Sequence, residues 1–225
     1  MKINSLIITL AFFLLILSLF LSIIDYCCFD KSFYNEQYDI NQTAKDIKVS
    51  DEALDHMTDI LLDYLKDKRD DIILYEDVDG INREIFNDRE KMHMVDVKEL
   101  YQHVITFRNM VLLMAIIILI YYLIYDKKYL LTHLFSSYFK ALSILLAVIV
   151  AIAISAILDF DTFWTSFHQL FFDNDLWLLN PYTDLMILMV PSSFFNALAM
   201  RIILLSIILS VLLAFLFKKL NRGVI

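Results

Sequence analysis

Four long apolar runs alternate with polar segments along the chain, and their lengths decide the predicted fold class. The first run covers residues 3–24 and is 22 residues long. A helix of this length can cross a hydrocarbon core of about 30 Å. The run ends in bulky side chains where a cleaved signal peptide carries small ones, so a retained membrane helix is expected. With the three later runs, the pattern predicts an all-α membrane protein with four transmembrane helices.

The apolar runs divide the chain into eight predicted segments. The transmembrane helices are expected at residues 1–24, 109–125, 141–158 and 199–217. The polar segments are predicted to be an acidic, mostly helical extracytoplasmic domain, a cytoplasmic loop, an aromatic interfacial loop outside the membrane and a cytoplasmic tail, at residues 25–108, 126–140, 159–198 and 218–225.

The distribution of Lys and Arg predicts how the chain is oriented in the cell membrane. The N-terminus carries one basic residue, and residues 126–140 and 218–225 carry three each. Residues 159–198 carry none, but have five aspartates. Because short cytoplasmic loops collect Lys and Arg, both termini and the 126–140 loop are expected in the cytoplasm. The acidic domain and the 159–198 loop should then both face the extracytoplasmic side.

Charge and composition exclude several classes of function. The net charge of −8 is concentrated in residues 25–108, which carry 21 acidic and 11 basic side chains. Phosphate binding requires a basic patch, so nucleic acid is not an expected partner. With 2 glycines in the chain, there is no Gly-rich phosphate loop. The adjacent Cys27 and Cys28 match no zinc or redox spacing and are interpreted as apolar fillers.

Capping signals predict two separate helices before the second span. Asn87 and Glu90 have the spacing of a capping box, which predicts a short helix from about residue 88 to 95. Asp96 and Glu99 repeat that spacing, so a second helix is expected to begin near residue 97 and to continue into the membrane.

Other local patterns predict further elements in the two polar segments. Ser50 is a good N-cap for an amphipathic helix over about residues 51–68. Asp79-Gly80 between apolar residues favours a short hairpin. Aromatic residues at helical spacing predict a helix over about residues 163–171 at the outer interface, and the apolar stretch 184–190 is too short to cross, so it is expected to dip into the membrane and return.

Two of the five histidines are the strongest candidates for chemistry. His93 follows the first capping box, and His168 lies inside the aromatic run after the third span. The predicted orientation places both on the extracytoplasmic side, whereas His133 is on the opposite side. Imidazole is the side chain whose ordinary pKa best suits proton transfer near neutral pH. The pattern therefore predicts that both imidazoles lie at the outer membrane surface.

Three motifs resemble one known family. The stretches FNDREKMHMVDVK, FHQLFFDNDLWLLNP and VPSSFF, at residues 86–98, 167–181 and 190–195, are similar to those of the lipoprotein intramolecular transacylase family of Gram-positive bacteria. The resemblance implies a four-span membrane acyltransferase that acts on diacylglyceryl lipoproteins. It implies transfer of the sn-2 acyl chain to the α-amino group of the lipidated cysteine, which leaves a lyso-form lipoprotein. It also implies that His93 and His168 are essential.

The residues are compatible with such chemistry. An α-amine has a pKa of about 7.7–8.0, so a base is needed, and one histidine could serve as base while the other serves as acid. Which histidine has which role stays open. Donor and acceptor lie on one substrate, so no cofactor is expected. Carboxylates that could orient the imidazoles are Glu90, Asp96, Asp173 and Asp175, and residues that could line an acyl-chain groove are Trp177, Pro181 and Phe171.

Two other functions remain open at this stage. A metal-dependent membrane hydrolase could use His93, Asp96, His103 and His168 as ligands, although their spacing matches no zinc motif. A non-enzymatic membrane sensor or scaffold could use the acidic domain to bind a partner. The expected partners of a transacylase are a diacylglyceryl lipoprotein and membrane lipid, and no oligomeric state follows from the sequence.

Overall fold

A computed structural model describes the backbone of residues 2–222 and the side chains of residues 4–219. Within these residues the chain is mostly helical. The helices are α1 Lys2–Cys28, α2 Lys31–Asn41, α3 Thr43–Ile47, α4 Asp51–Leu65, α5 Asp88–Tyr125, α6 Lys127–Leu158, α7 Phe160–Phe171, α8 Met186–Met189 and α9 Ser192–Arg222, and the strands are β1 Tyr75–Val78 and β2 Ile81–Glu84.

Four of the described helices, α1, α5, α6 and α9, are long and apolar enough to cross a membrane. This confirms the predicted number of spans. Helix α6 begins at Lys127, so most of the loop predicted at residues 126–140 is helical. The orientation and the segment boundaries stay predictions, and the part of α5 predicted to lie in the membrane begins at residue 109.

The chain forms two compact units. The first consists of α1 up to Cys27, residues Val104–Leu158 and the chain from Ala199 onwards. The rings of Tyr138 and Phe217 stack there with centroids 4.1 Å apart, and Phe12 packs edge-on against both. The Arg108 guanidinium binds the Asp25 carboxylate at 2.8 Å. Aromatic contact between α1, α6 and α9 thus holds this unit together.

The second unit consists of residues Cys28–His103 and Asp159–Leu198. Its core is formed by one face of α4, by residues around the hairpin and by α8. Ser50 accepts a hydrogen bond from the Ala53 N–H, so it is the N-cap predicted for α4. The hairpin turns at Asp79 and Gly80, whose positive φ angles of 57° and 80° suit a tight two-residue turn. Both local predictions are confirmed.

Two predictions for this unit are wrong. The apolar stretch 184–190 does not dip into a membrane, because Leu185, Met186 and Met189 are buried in the core of the second unit. The chain also has no helix break near Asp96. Its carboxylate accepts a hydrogen bond from the Asn174 side chain instead of capping a helix, and α5 runs unbroken through this position.

Candidate active site

Two carboxylates hold the start of α5, the helix that carries His93. Glu90 Oε2 accepts from the Asn87 N–H at 2.8 Å, and Asn87 Oδ1 accepts from the Glu90 N–H at 3.1 Å, so the predicted capping box is confirmed. The other Glu90 oxygen accepts from the Met186 N–H at 2.6 Å. Asp184 accepts from the Asn87 side chain at 2.8 Å. These bonds join the first turn of α5 to the loop before α8.

The two carboxyl groups differ in their electrostatics. Glu90 is completely buried, and burial raises its pKa although backbone N–H groups oppose this. Burial would also raise the pKa of Asp184, but hydrogen bonds from the Asn180 N–H and from the Thr183 and Asn87 side chains lower it. Asp184 is therefore the carboxylate that stays ionised more easily.

Helix α7 positions the second histidine and determines its tautomer. Asp159 is its N-cap and accepts from the Thr162 N–H at 3.0 Å. One turn before its end, His168 Nδ1 lies 2.8 Å from the Trp164 carbonyl oxygen. A carbonyl only accepts, so Nδ1 carries the proton in this hydrogen bond. In neutral His168 the lone pair is therefore on Nε2.

The two histidines converge within the second unit. The ring centroids of His93 and His168 are 6.2 Å apart. Phe172 packs against both rings, with centroid distances of 5.6 Å and 5.8 Å. Trp177 stacks on His168 at 4.8 Å, and Trp164 meets the same ring edge-on at 4.7 Å. A pair of imidazoles thus lies in a mostly aromatic surrounding.

Both histidines are neutral at neutral pH. The exposed fractions are 8% for His93 and 7% for His168. Burial, followed by the nearby His168, lowers the pKa of His93 to about 4, and Asp96 opposes this while Arg89 adds to it. Burial lowers the pKa of His168, although the bond to the Trp164 carbonyl opposes this. A neutral imidazole offers one N–H donor and one lone pair, which is what proton transfer requires.

The tautomer of His93 follows from a buried ring nitrogen, Nδ1, that has no hydrogen-bond partner among the described residues. An unpaired buried N–H costs more than an unpaired acceptor, so the proton is assigned to Nε2. The pair therefore combines a donor N–H on His93 with a lone pair on His168.

The depressed pKa of His93 should make stability depend on pH. Between pH 6.5 and about 4 the His93 imidazole binds a proton in the unfolded chain but not in the folded chain. The contribution of this residue to the free energy of unfolding should therefore be fully present above pH 6.5 and should decrease as the pH falls. The loss approaches about 3 kcal/mol at pH 4, since one pKa unit is worth about 1.4 kcal/mol. The measurement is Tm in detergent against pH, with His93→Gln as the comparison. An equally steep decline in the variant would contradict this assignment.

The structure separates the other predicted site residues into two groups. Asp96 lies one turn after His93 and accepts from the Asn174 side chain at 2.8 Å, and the Asp175 carboxylate lies 3.5 Å from the Arg89 guanidinium. Trp177 contacts His168 directly. The second group is not assembled with the imidazoles: Asp173, Phe171 and Pro181 are exposed, and both Glu90 oxygens bind backbone N–H groups.

Sequence reasoning missed three residues that surround the pair. Arg89 precedes His93 by four residues, so helical spacing could have identified it. Phe172 contacts both rings, because α7 ends at Phe171 and the following residue is extended and buried. Asn174 carries no signal in the sequence, since its bond to Asp96 joins residues 78 positions apart.

Within residues 4–219, no three His, Cys, Asp or Glu side chains gather closely enough to hold a metal ion. The ligand set considered for a hydrolase included His103, which is exposed on α5. His93 and His168 thus have no third ligand of these types beside them in the described part of the chain.

Comparisons with known proteins give one family match and a match in fold to solved structures. The sequence model of the lipoprotein intramolecular transacylase Lit matches residues 8–195. A comparison with curated proteins found no match. The in meso structure of the membrane-integral lipoprotein intramolecular transacylase Lit from Bacillus cereus superposes with a TM-score of 0.74 at 23% identity, over 99% of this chain and 97% of that chain. Structures of that protein with a histidine replaced by arginine or by alanine each give 0.71 at 23% identity, again over 99% of this chain and over 92% and 94% of theirs. At this identity the structural likeness shows the fold.

Proposed function

This chain belongs to the lipoprotein intramolecular transacylase family, and from that premise we propose the reaction that it catalyses. The protein is a multi-pass membrane acyltransferase by its family and its four apolar helices. The proposed substrate is a diacylglyceryl lipoprotein. The sn-2 acyl chain moves to the α-amino group of the lipidated N-terminal cysteine, and the product is a lyso-form lipoprotein. No cofactor takes part in the proposed reaction.

One observation carries this proposal: His93 and His168 lie with ring centroids 6.2 Å apart, although they are 75 positions apart in the sequence. The amine and the ester belong to one substrate, so catalysis consists largely of orientation and proton transfer. Orientation of this kind can contribute roughly 7–11 kcal/mol. A pair of neutral imidazoles can supply the proton transfer.

His168 is the proposed base. Its Nε2 lone pair removes a proton from the attacking amine as the nitrogen–carbon bond forms. The same Nε2–H then gives that proton to the departing sn-2 oxygen when the carbon–oxygen bond breaks. The imidazole returns to its starting form, so the cycle needs no other proton source. The Trp164 carbonyl supports this role, because it holds the Nδ1 proton throughout.

His93 is the proposed hydrogen-bond donor. Its Nε2–H would bind the ester carbonyl oxygen, which becomes negative in the tetrahedral intermediate. A donor in place before the reaction stabilises such charge without reorganisation of solvent. Because burial lowers the pKa of His93, the donor is neutral imidazole and not imidazolium.

Apolar side chains near the pair fit a lipid substrate. Phe172 and Trp177 contact the imidazoles, and Leu170, Phe171 and Leu178 are exposed in the same segment of the chain. Exposed apolar side chains of this kind favour acyl chains or the outer leaflet as neighbours. The predicted orientation would put this segment on the extracytoplasmic side, where lipoproteins are anchored.

The test is the mass of a reporter lipoprotein in a host that lacks other N-acylating enzymes. We expect the N-terminal peptide to carry one glycerol-linked acyl chain and one amide-linked acyl chain when this protein is expressed. A free α-amine would overturn the transacylase proposal and would favour a sensor or scaffold. Loss of product after treatment of the purified protein with a strong chelator would instead favour a metal-dependent reaction.

A further inference from the structure

The first turns of α5 carry opposite charges on the two sides of His93. Arg89 precedes His93 by four residues and Asp96 follows it by three, and residues at these spacings share one face of a helix. Both charges act on the imidazole, since Arg89 lowers and Asp96 raises the pKa of His93. His93 therefore lies between a cation and an anion.

Both charged side chains bind the segment that follows α7, and each retains an unused polar atom. Arg89 Nη2 donates to the Asp175 carbonyl oxygen, but Arg89 Nε is buried without a hydrogen-bond partner among residues 4–219. Asp96 Oδ2 accepts from Asn174, whereas Oδ1 has no partner within the described residues. These two hydrogen bonds hold the Arg89 and Asp96 side chains in place and leave Arg89 Nε as a donor and Asp96 Oδ1 as an acceptor.

A buried donor on a cation is unfavourable unless an acceptor reaches it. Such an atom on a cation that acts on the His93 imidazole indicates where a substrate oxygen binds. Asp96 is half-buried, and a carboxylate can accept several hydrogen bonds, so a second donor can join Asn174 there. The chemistry of the two free atoms is complementary to an ester carbonyl and to an ammonium group.

The spacing of the two charges also fits the reacting group. Seven residues span about 10 Å along a helix. An attacking nitrogen lies about 3–3.5 Å from the carbonyl carbon, and a hydrogen bond of about 3 Å on each side brings the whole arrangement to a similar length. One substrate in its reactive conformation can therefore reach both charges.

We propose that Arg89 and Asp96 bind the two polar ends of the reacting group, an inference that rests on the transacylase function proposed above. Arg89 Nε–H binds the carbonyl oxygen of the migrating acyl group together with His93, and the Asp96 carboxylate binds the α-ammonium of the lipidated cysteine. Arg89 then stabilises the oxyanion, and Asp96 orients the nucleophile. Both contact the reacting group and are catalytic residues in this sense.

In the proposed acyl transfer, each of the three protons of the bound ammonium group has a destination. One of its three protons leaves to solvent before attack, one moves through His168 to the sn-2 oxygen, and one remains on the amide nitrogen. The nitrogen–carbon bond forms and the carbon–oxygen bond breaks. Asp96 raises the pKa of the bound amine, so it improves binding and makes the first deprotonation harder.

The first experiment compares Arg89→Gln with Asp175→Ala, using the full-length protein in detergent and a synthetic diacylglyceryl-cysteine peptide. Loss of an oxyanion donor costs on the order of 10²–10³ in kcat, so we expect Arg89→Gln to lower kcat at least about 30-fold with little change in KM. Asp175→Ala removes the carboxylate of the Arg89 ion pair but keeps the Arg89 donor and its bond to the backbone carbonyl oxygen, so kcat should stay within about threefold. Arg89→Lys, which keeps the charge, should fall between them.

The second experiment compares Asp96→Asn with Asn174→Ala. Asp96→Asn should raise KM about tenfold, as expected for loss of one charged contact, and should move the midpoint of the acid limb of kcat to lower pH because the bound amine loses its carboxylate. Asn174→Ala breaks the hydrogen bond to Asp96 and keeps the carboxylate, so KM should rise less than in Asp96→Asn and the acid limb should stay where it is. Tm in detergent for each variant identifies any that is misfolded.

The outcomes separate this inference from the proposed function. A loss in Arg89→Gln that appears as a raised KM, with kcat within about threefold, would show that Arg89 only holds the segment, and this overturns its catalytic role while the transacylase activity stands. An unmoved pH profile in Asp96→Asn overturns the ammonium site in the same way. Absence of N-acyl product with the unaltered protein overturns the transacylase function and this inference with it.

Discussion

His168→Gln should abolish formation of the N-acyl, lyso-form lipoprotein, with a fall in kcat of about 10²–10⁴-fold. Glutamine places an amide near the position of Nε2, but the amide has no basic lone pair at neutral pH. The variant therefore removes the proposed base with little loss of packing. The measurement is the single-turnover rate with a diacylglyceryl-cysteine peptide, followed by mass spectrometry.

His93→Gln should be less damaging than His168→Gln. A glutamine side-chain amide can donate from about the position of Nε2, so part of the oxyanion stabilisation should persist. His93→Ala removes the donor altogether and should approach the loss expected for His168→Gln. The reverse order, with His93→Gln as the more damaging glutamine variant, would mean that the two roles are exchanged.

The matched control for the histidine variants is His56→Gln. His56 is exposed on α4 in the same unit, and its imidazole pairs with Glu76 at 2.7 Å. The same change of side chain is made at a histidine that has no role in the proposed reaction, so the rate of product formation should be unchanged. More than about a tenth of the unaltered rate in His168→Gln would contradict the assignment of the base, because general base catalysis contributes at least about 10²-fold.

Glu90→Ala should lower the free energy of unfolding by about 3 kcal/mol or more. The Glu90 carboxylate is completely buried and accepts from the backbone N–H groups of Asn87 and Met186. Its removal leaves both donors unpaired in the core, and each such group costs about 1–3 kcal/mol. Loss of these bonds should also free the first turn of α5, which positions His93. Thermal unfolding in detergent measures the effect.

Glu99→Ala is the control for this prediction. Glu99 lies on the same helix but is exposed, and surface substitutions usually change stability by no more than about 0.5 kcal/mol. A similar Tm for Glu90→Ala and Glu99→Ala would contradict the structural role of Glu90. Retained stability with lost activity would instead indicate that Glu90 acts on His93 itself, as its position in the sequence suggested.

Local signals in the sequence predicted several elements correctly because their causes are local. Ser50 caps α4 and Asn87 and Glu90 form their capping box through bonds that join residues three positions apart. The hairpin at Asp79-Gly80 depends on the positive φ angles of two neighbouring residues. Each of these features depends on residues that are close neighbours in the sequence, so tertiary packing has little effect on it.

Asp96 shows where local reasoning fails. Its spacing from Glu99 matches a capping box, but the same pair of residue types can also occur in the middle of a helix. In the structure the Asp96 carboxylate accepts from the side chain of Asn174, 78 positions away, and α5 is continuous. The contact of Phe172 with the His93 ring likewise joins residues that are distant in the sequence, and no local pattern indicates it.

The sequence by itself determined the four apolar helices and the two histidines worth considering, because hydrophobic length and residue type are properties of short segments. Only the tertiary structure decided that the ring centroids of His93 and His168 lie 6.2 Å apart and that burial keeps both imidazoles neutral. The physical reason is that burial and mutual distance depend on groups that other segments of the chain bring alongside. Phe172, for example, packs against the His93 ring although it is distant from His93 in the sequence.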